Sequence, residues 1–509
     1  MNAEIGMAFI VEVSDIGRDG HGIGKADGLT VFVEGLIPGD KARVTVTNMK
    51  KNLAFAATDK IIEPSPFRIA PKCHYADACG GCALMSMEYS AQTRMKELHV
   101  REALSRIGGI QNPNVRPIIS MNDPWGYRNK AVYAVRGGKV GFYDHGSHNI
   151  TDIPYCLIQT PAANAVAAAL RSFLAVNSSQ LKLGSSRARP SADQRTVGDR
   201  AAATDGNDIR SLTVKTAEGS GEVMVVLGFE RKLHYGLDEL ILMMDEAVNE
   251  LSDTAAGGAH SYSLESAAIT FEVKQRGAKA AERCEIIAGK RTITESTAQA
   301  RFEISPQSFF QVNPAGARAL ESIILEYAKL SGSETVLDLY CGVGVLGLIC
   351  APYAGSVVGI EVVKQAVIDA NRNAVINGIV NASFICGKAE EELQKLYGGN
   401  AEEHRPSCGA EVETESQILC GAKADVIIID PPRAGCDVQL LKAMAELKPK
   451  KIIYVSCDPA TLARDVKILT RLGYEFIEAT PVDMFPHTVH VECVVMMTNS
   501  LGRHWNPFP

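Results

Sequence analysis

The stretch Thr335-Val-Leu-Asp-Leu-Tyr-Cys-Gly-Val-Gly344 decides how the C-terminal part of the chain is read. Val336 to Tyr340 is a short apolar run, and Gly342 and Gly344 follow it closely. The pattern predicts a strand that stops in a tight turn, where backbone without a Cβ approaches a ligand at a helix start. The same rhythm continues downstream. Residues 357–360, 382–386, 426–429 and 452–456 are further short apolar runs, and 363–376 has a helical pattern. This alternation predicts a parallel, doubly wound, Rossmann-like α/β domain over residues 307–509. The polar segment 398–423 reads as a surface loop inside it.

Two carboxylates fall at strand ends. Glu361 closes the second strand, where an acid grips ribose hydroxyls. The spacing fits adenosine cofactors in general, and Gly347 adds a third glycine, so a nicotinamide cofactor stays open on this motif. Asp430-Pro-Pro-Arg433 closes the fourth strand at the sheet edge where ligands bind in open α/β folds. Its prolines stiffen the exit and donate no N–H. A merely stiff turn is the plain alternative.

Tyr454-Val-Ser-Cys457-Asp-Pro-Ala-Thr461 puts Cys457 on that same edge. A lone cysteine there is more often a small buried hydrophobe. Here a Cys-Asp-Pro turn follows and Thr461 is the expected cap of the next helix. A thiolate at such a place gains from the helix N–H groups and dipole. Glu492, in His-Thr-Val-His-Val-Glu492, is a lone carboxylate among apolar strand residues and the candidate general base. An exposed strand residue is its plain alternative.

The N-terminal part reads differently. Residues 1–62 carry about five short β-runs separated by glycine-rich turns, the signature of a small OB-like barrel. Residues 63–306 read as a mixed central domain, with a helix over 90–107 and a mobile insertion at 185–207. Cys73, Cys79 and Cys82 form one compact group, and Cys156 is a plausible fourth thiolate. Four cysteines suit zinc or an iron–sulfur cluster. Only one short-spaced pair is present, whereas zinc sites usually show two.

The 509 residues need several cores. The net charge of −7 argues weakly against a nucleic-acid partner. Residues 61–160 run the other way, with 11 Lys and Arg against 8 Asp and Glu, and an acidic chain can still carry a basic face. The first residues have no signal-peptide pattern and no apolar run reaches membrane length. A cytoplasmic monomer without membrane contact is expected.

Taken together, six motifs resemble the uracil-5 RNA methyltransferase family. They are Phe309-Phe-Gln-Val-Asn313, Asp338 to Gly344, Gly359-Ile-Glu361, Asp430-Pro-Pro-Arg-Ala-Gly435, Tyr454 to Pro459, and Asp483-Met-Phe-Pro-His-Thr-Val-His-Val-Glu492. The N-terminal barrel resembles the TRAM module. The resemblance implies S-adenosyl-L-methionine as cofactor, with contacts at Gln311, Tyr340, Glu361 and Asp430. It implies Cys457 as nucleophile at C6 of uracil and Glu492 as the base that removes the C5 proton. The branch with this cysteine spacing implies a [4Fe-4S] cluster on Cys73, Cys79, Cys82 and Cys156, and 23S rRNA as the substrate. The T-loop of tRNA is the first alternative. A non-catalytic RNA-binding or ribosome assembly factor is opposed by the intact Cys457 and Glu492. A radical methylthiotransferase is opposed by the cysteine spacing. Val345 and Lys388 stand where some members carry Asn and an acid, and no cofactor role is assigned to them.

Overall fold

The computed structural model describes residues 4–26, 28–182, 209–230, 237–254, 261–273, 281–297, 299–397 and 424–500. The expected insertion at 185–207 and the expected loop at 398–423 lie outside these residues.

Five strands close a barrel: β1 (Ala8–Ile16), β2 (Gly22–Ala26), β3 (Leu29–Val33), β4 (Lys41–Lys50) and β5 (Leu53–Glu63). Their period-2 pattern turns Val11, Val13, Val31, Val33, Val44 and Val46 inward. Asp40 locks the barrel exit. Its buried carboxylate accepts N–H bonds from Ile37 at 2.8 Å and Ser65 at 2.9 Å, and pairs with Arg68. Those partners outweigh burial and hold its carboxyl below the ordinary range.

Helix α1 (Tyr89–Arg106) follows, then a mixed seven-stranded sheet. That sheet holds β6 (Lys130–Arg136), β7 (Lys139–Tyr143), β8 (Ile150–Asp152), β9 (Ile209–Thr216), β10 (Glu222–Phe229), β11 (Ser263–Val273) and β12 (Ala281–Gly289). Helices α2 (Pro161–Lys182) and α3 (Asp238–Thr254) pack on it through Val166, Leu170, Leu240 and Met244. A hairpin of β13 (Ile293–Ser296) and β14 (Arg301–Ile304) leads onward.

The C-terminal sheet holds β15 (Thr335–Leu339), β16 (Ser356–Glu361), β17 (Ala382–Cys386), β18 (Val426–Ile429), β19 (Lys451–Ser456), β20 (Tyr474–Val482) and β21 (Glu492–Asn499). Its order is β17-β16-β15-β18-β19-β21-β20. Both faces are apolar, as parallel strands between helix layers require. Leu337, Leu339, Ile427 and Ile429 face α7 (Ala389–Tyr397), α8 (Val438–Glu446) and α9 (Pro459–Arg471). Val336, Val426 and Ile428 face α4 (Pro314–Ala328), α5 (Val345–Cys350) and α6 (Lys364–Ile376). The first five strands are parallel, as the rhythm predicts. The last hairpin departs from it: β21 runs antiparallel between β19 and β20. α1 also joins this layer, because Val100 and Leu104 are buried in the same core as Leu440 and Leu469.

One buried ion pair fastens α1 there. Lys96 Nζ lies 2.5 Å from Asp483 Oδ1, both side chains fully buried, and donates to the Phe485 carbonyl at 3.0 Å. Removing one member of such a pair strands the other charge. We predict that Lys96→Met costs about 3–5 kcal/mol of stability, and that adding Asp483→Leu recovers most of it. Urea midpoints of the two proteins measure this; equal loss in both would show that packing, not charge, is at stake.

Candidate active site

The strand ends gather the predicted residues along one edge of the C-terminal sheet. Asp338 starts the arrangement. It is fully buried on β15, and its Oδ2 accepts the Gly347 N–H at 2.8 Å, tying the strand to α5. Desolvation, with the charges of Asp430 and Glu361 adding to it, pushes its carboxyl up to about 7. Tyr340 then turns the chain at a φ of 60°, a left-handed conformation that a bulky side chain rarely adopts. Gly344 caps α5 at φ 83°, and a Cβ there would press on the Phe384 ring at 2.8 Å. Glu361 faces this loop: it accepts from Gly342 N–H at 3.1 Å and from Val363 N–H at 2.8 Å. Gln311 lies on the strap before α4, where Asn129 holds its carbonyl at 3.1 Å.

Cys457 and Glu492 meet through strand register. Ser456 pairs with Cys493 across β19 and β21, so Cys457 and Glu492 take the next opposed positions. Glu492 is 5% exposed, which rules out the plain reading of a solvent-facing strand residue. Burial raises its carboxyl well above the ordinary range; Asp430 adds to this and Arg433 opposes it. Burial likewise raises Asp430. The Cys457 thiol is pushed up to about 11 by burial first and by Glu492 next, with Arg433 pulling the other way. Burial and Glu492 thus outweigh Arg433 and the thiol's own backbone N–H, which pull it down. The cap differs from the expected one: Asp458, not Thr461, caps α9, accepting from Ala460 and Thr461 N–H at 2.9 Å each. Pro459 fills the first helical position, which makes Asp458 the cap.

Arg433 and His490 sit in quoted motifs but carried no assigned role. Arg433 acts electrostatically on both Cys457 and Glu492. Its Nη2 lies 3.3 Å from His490 Nε2, and burial with that cation beside it lowers His490 to about 4. The neutral ring therefore accepts from the guanidinium. The signal was available: Arg433 and His490 flank the two acids in sequence.

The loop from Asp483 to His490 delivers Glu492, and most of its polar backbone is tied down. Asn313 donates to the Met484 carbonyl, Lys96 to Phe485, Tyr127 to Pro486, and the Leu84 N–H to His487. Gln92 accepts the His487 N–H at 3.0 Å, and Trp125 lies against the His487 ring at 4.2 Å.

Leu84 belongs to the cysteine segment. Cys73, Cys79, Cys82 and Cys156 stand within electrostatic reach of one another; Cys82 feels the other three. Cys79 accepts the Gly81 N–H, and Cys156 accepts those of Ile158 and Gln159. Burial, with the neighbouring thiols, pushes Cys156 up to about 11. Such N–H donors suit sulfur ligands in the thiolate form. Among the described residues no three His, Cys, Asp or Glu side chains are grouped so as to hold a metal ion.

The barrel reaches this edge as well. Arg18, between β1 and β2, lies 3.2 Å from Asp458, and a Cβ on Gly20 would collide with Ala83.

The family described as tRNA (Uracil-5-)-methyltransferase matches residues 261–500, and the TRAM domain matches residues 3–57. An "Uncharacterized RNA methyltransferase" of Caldanaerobacter subterraneus subsp. tengcongensis is 37% identical over 498 residues, 97% of this chain and 98% of that one. The chain belongs to the uracil-5 RNA methyltransferase family. An RNA methyltransferase of Bacillus cereus is 34% identical over 492 residues, 96% of each chain. The solved structure of Pyrococcus abyssi tRNA (uracil-54, C5)-methyltransferase in complex with S-adenosyl-L-homocysteine has a TM-score of 0.65 and 24% identity. It covers 97% of this chain and 100% of that one, a likeness of fold. The methyltransferase is thus a TRAM-bearing enzyme with a Rossmann-like C-terminal domain.

The acidic edge makes a pH prediction. Asp338, Asp430 and Glu492 all bind their protons more tightly folded than unfolded. A raised carboxyl favours folding below its unfolded pKa, and that contribution is lost as pH rises through the folded value. The melting temperature of the ligand-free methyltransferase should therefore fall between roughly pH 5 and pH 8. Asp338→Asn should flatten the fall. Scanning calorimetry at several pH values tests this; an unchanged slope would place the titration elsewhere.

Proposed function

We propose that this methyltransferase acts on C5 of a uridine in 23S rRNA, with S-adenosyl-L-methionine as donor and Cys457 as covalent nucleophile. The observation that carries the reading is the opposed placement of Cys457 and Glu492, with Arg433 acting on both.

C5 of uracil is a weak nucleophile. Cys457 first loses its thiol proton to solvent; addition of the thiolate at C6 then moves the C5–C6 electron pair toward O4 and makes an enolate. S-adenosyl-L-methionine supplies the methyl group as a sulfonium. C5 takes the methyl as the methyl–sulfur bond of the donor breaks and S-adenosyl-L-homocysteine leaves. Glu492 then removes the C5 proton, whose bonding pair restores the C5–C6 double bond. The C6–S bond breaks and returns the pair to sulfur as a thiolate. Arg433 steadies the anions formed on the way, on sulfur and on the carboxylate. Both acids must ionise, and both are raised in the resting enzyme, so kcat/KM should increase with pH through neutrality. Glu361 and Asp430 would bind the donor, together with Gln311 and Tyr340. A sulfonium cation beside Glu361 and Asp430 would favour their ionised forms, which is the charge that binds it.

The four cysteines would hold a [4Fe-4S] cluster, as the family branch implies. Four sulfur donors with backbone N–H bonds to two of them support it. The cluster would brace the segment that grips the His487 carbonyl. The 23S rRNA substrate is what the family branch with this cysteine spacing implies, and the tRNA T-loop is the alternative.

The two catalytic residues should fail differently. Cys457→Ala should give neither methylation nor a covalent complex. Glu492→Gln should accumulate a methylated protein–RNA adduct that survives denaturing electrophoresis, because the C5 proton stays on. Turnover at the normal rate by Glu492→Gln would overturn these roles. Mapping 5-methyluridine in rRNA and tRNA, with and without the enzyme, tests the substrate; a site found only in tRNA would overturn the 23S assignment. For the donor, Glu361→Ala should weaken calorimetric affinity by ~1–3 kcal/mol through a lost charged hydrogen bond. For the cluster, anaerobically purified protein should carry about four irons, and Cys73→Ser should lose them; stoichiometric zinc without iron would refute it.

A further inference from the structure

The barrel's buried core is entirely aliphatic, and Phe32 and Phe55 are not part of it. They occupy the outward positions of β3 and β5, between the buried pairs Val31 and Val33, and Ala54 and Ala56. The two residues are register partners, and their rings stack at 5.4 Å and 23°. His21 stands edge-on to Phe55 at 6.2 Å, and Lys50 Nζ lies 5.6 Å from the same ring. Both rings stay partly exposed.

This outer face leads to the catalytic edge. His21, which pairs with Asp19 at 2.9 Å, closes the turn that carries Arg18. Arg18 is 68% exposed, and its Nη2 reaches Asp458, the neighbour of Cys457. Phe32, Phe55, His21 and Arg18 thus form one path from the barrel to the nucleophile's turn. A cross-strand aromatic pair also steadies a sheet. That role needs no cations around the rings and no continuity with the active site. Stacked rings beside spaced cations are the chemistry that holds unpaired nucleotides: the π-faces take bases of any sequence, and the cations take phosphates.

We infer that this face stacks unpaired nucleotides adjoining the target uridine, with Lys50 and Arg18 on the neighbouring phosphates. The inference rests on the proposed action on RNA and names where the strand next to the target runs. Full-length Phe32→Leu, Phe55→Leu, Phe55→Trp and Lys50→Ala proteins test it. The probe is a short, fluorescently labelled single-stranded RNA. The leucine variants should bind it more weakly, on the order of ten-fold, with the salt dependence unchanged. Phe55→Trp should bind as the parent does. Lys50→Ala should lower the salt slope by about one. Calorimetric affinity for S-adenosyl-L-methionine and the melting temperature should stay at parent values in all four. Unchanged RNA affinity in folded leucine variants overturns the inference and leaves the face to a protein partner. A loss that follows a fall in melting temperature overturns it too, because the pair is then only structural. The single-strand assay does not depend on which RNA is methylated, so a tRNA target would overturn the proposed substrate while this assay still decides the barrel face.

Discussion

Everything catalytic hangs from a salt bridge that water cannot reach. Lys96 and Asp483 are both fully buried, and neither charge could exist there alone. The pair fixes α1 against the start of the loop that ends in Glu492. Once that anchor is set, the carbonyls of Met484 to His487 each find a donor from another part of the chain. A loop so fully bonded has little freedom, and a general base needs little freedom. The cysteine segment supplies one of those donors, through Leu84, so its architecture bears on the base without touching it.

The electrostatics of the site follow from crowding acids where water is scarce. Asp338, Glu361, Asp430 and Glu492 share the strand ends, and Arg433 is the cation felt by Cys457 and Glu492. The resting site therefore favours the protonated forms of Asp338, Asp430 and Glu492 more than water does, and a neutral Cys457 thiol. A sulfonium entering such a site lowers the cost of ionising each of them. Binding the donor would then prepare the nucleophile and the base together.

Much of this was readable in the chain. β17 and β18 match their apolar runs residue for residue; β18 is buried on both faces, and such a strand is written as a continuous hydrophobic stretch. Cys457 and Glu492 stood out because each interrupts such a stretch at its end. The direction of β21 was not readable, since an apolar run does not say which way it will pair. The rise of the Cys457 thiol was hidden for a related reason: it comes from burial beside Glu492, a contact made by register. Asp458 as the cap is legible from Pro459, which takes the first helical position. Arg18 could not be found in advance, because nothing local links the barrel turn to a helix start 440 positions away.

The span of the Lys96–Asp483 pair has a kinetic side. The partners are 387 residues apart. A chain emerging from its N-terminus displays α1 for most of synthesis before Asp483 exists. The barrel and the central sheet can condense from their own residues as they appear. The C-terminal sheet cannot finish until a helix made near the beginning is fetched back into its helix layer, a closure of high contact order. Until then the apolar side of α1, with Val100 and Leu104, lacks its final cover, so this helix is where nascent chains would be most exposed to chaperones and to aggregation.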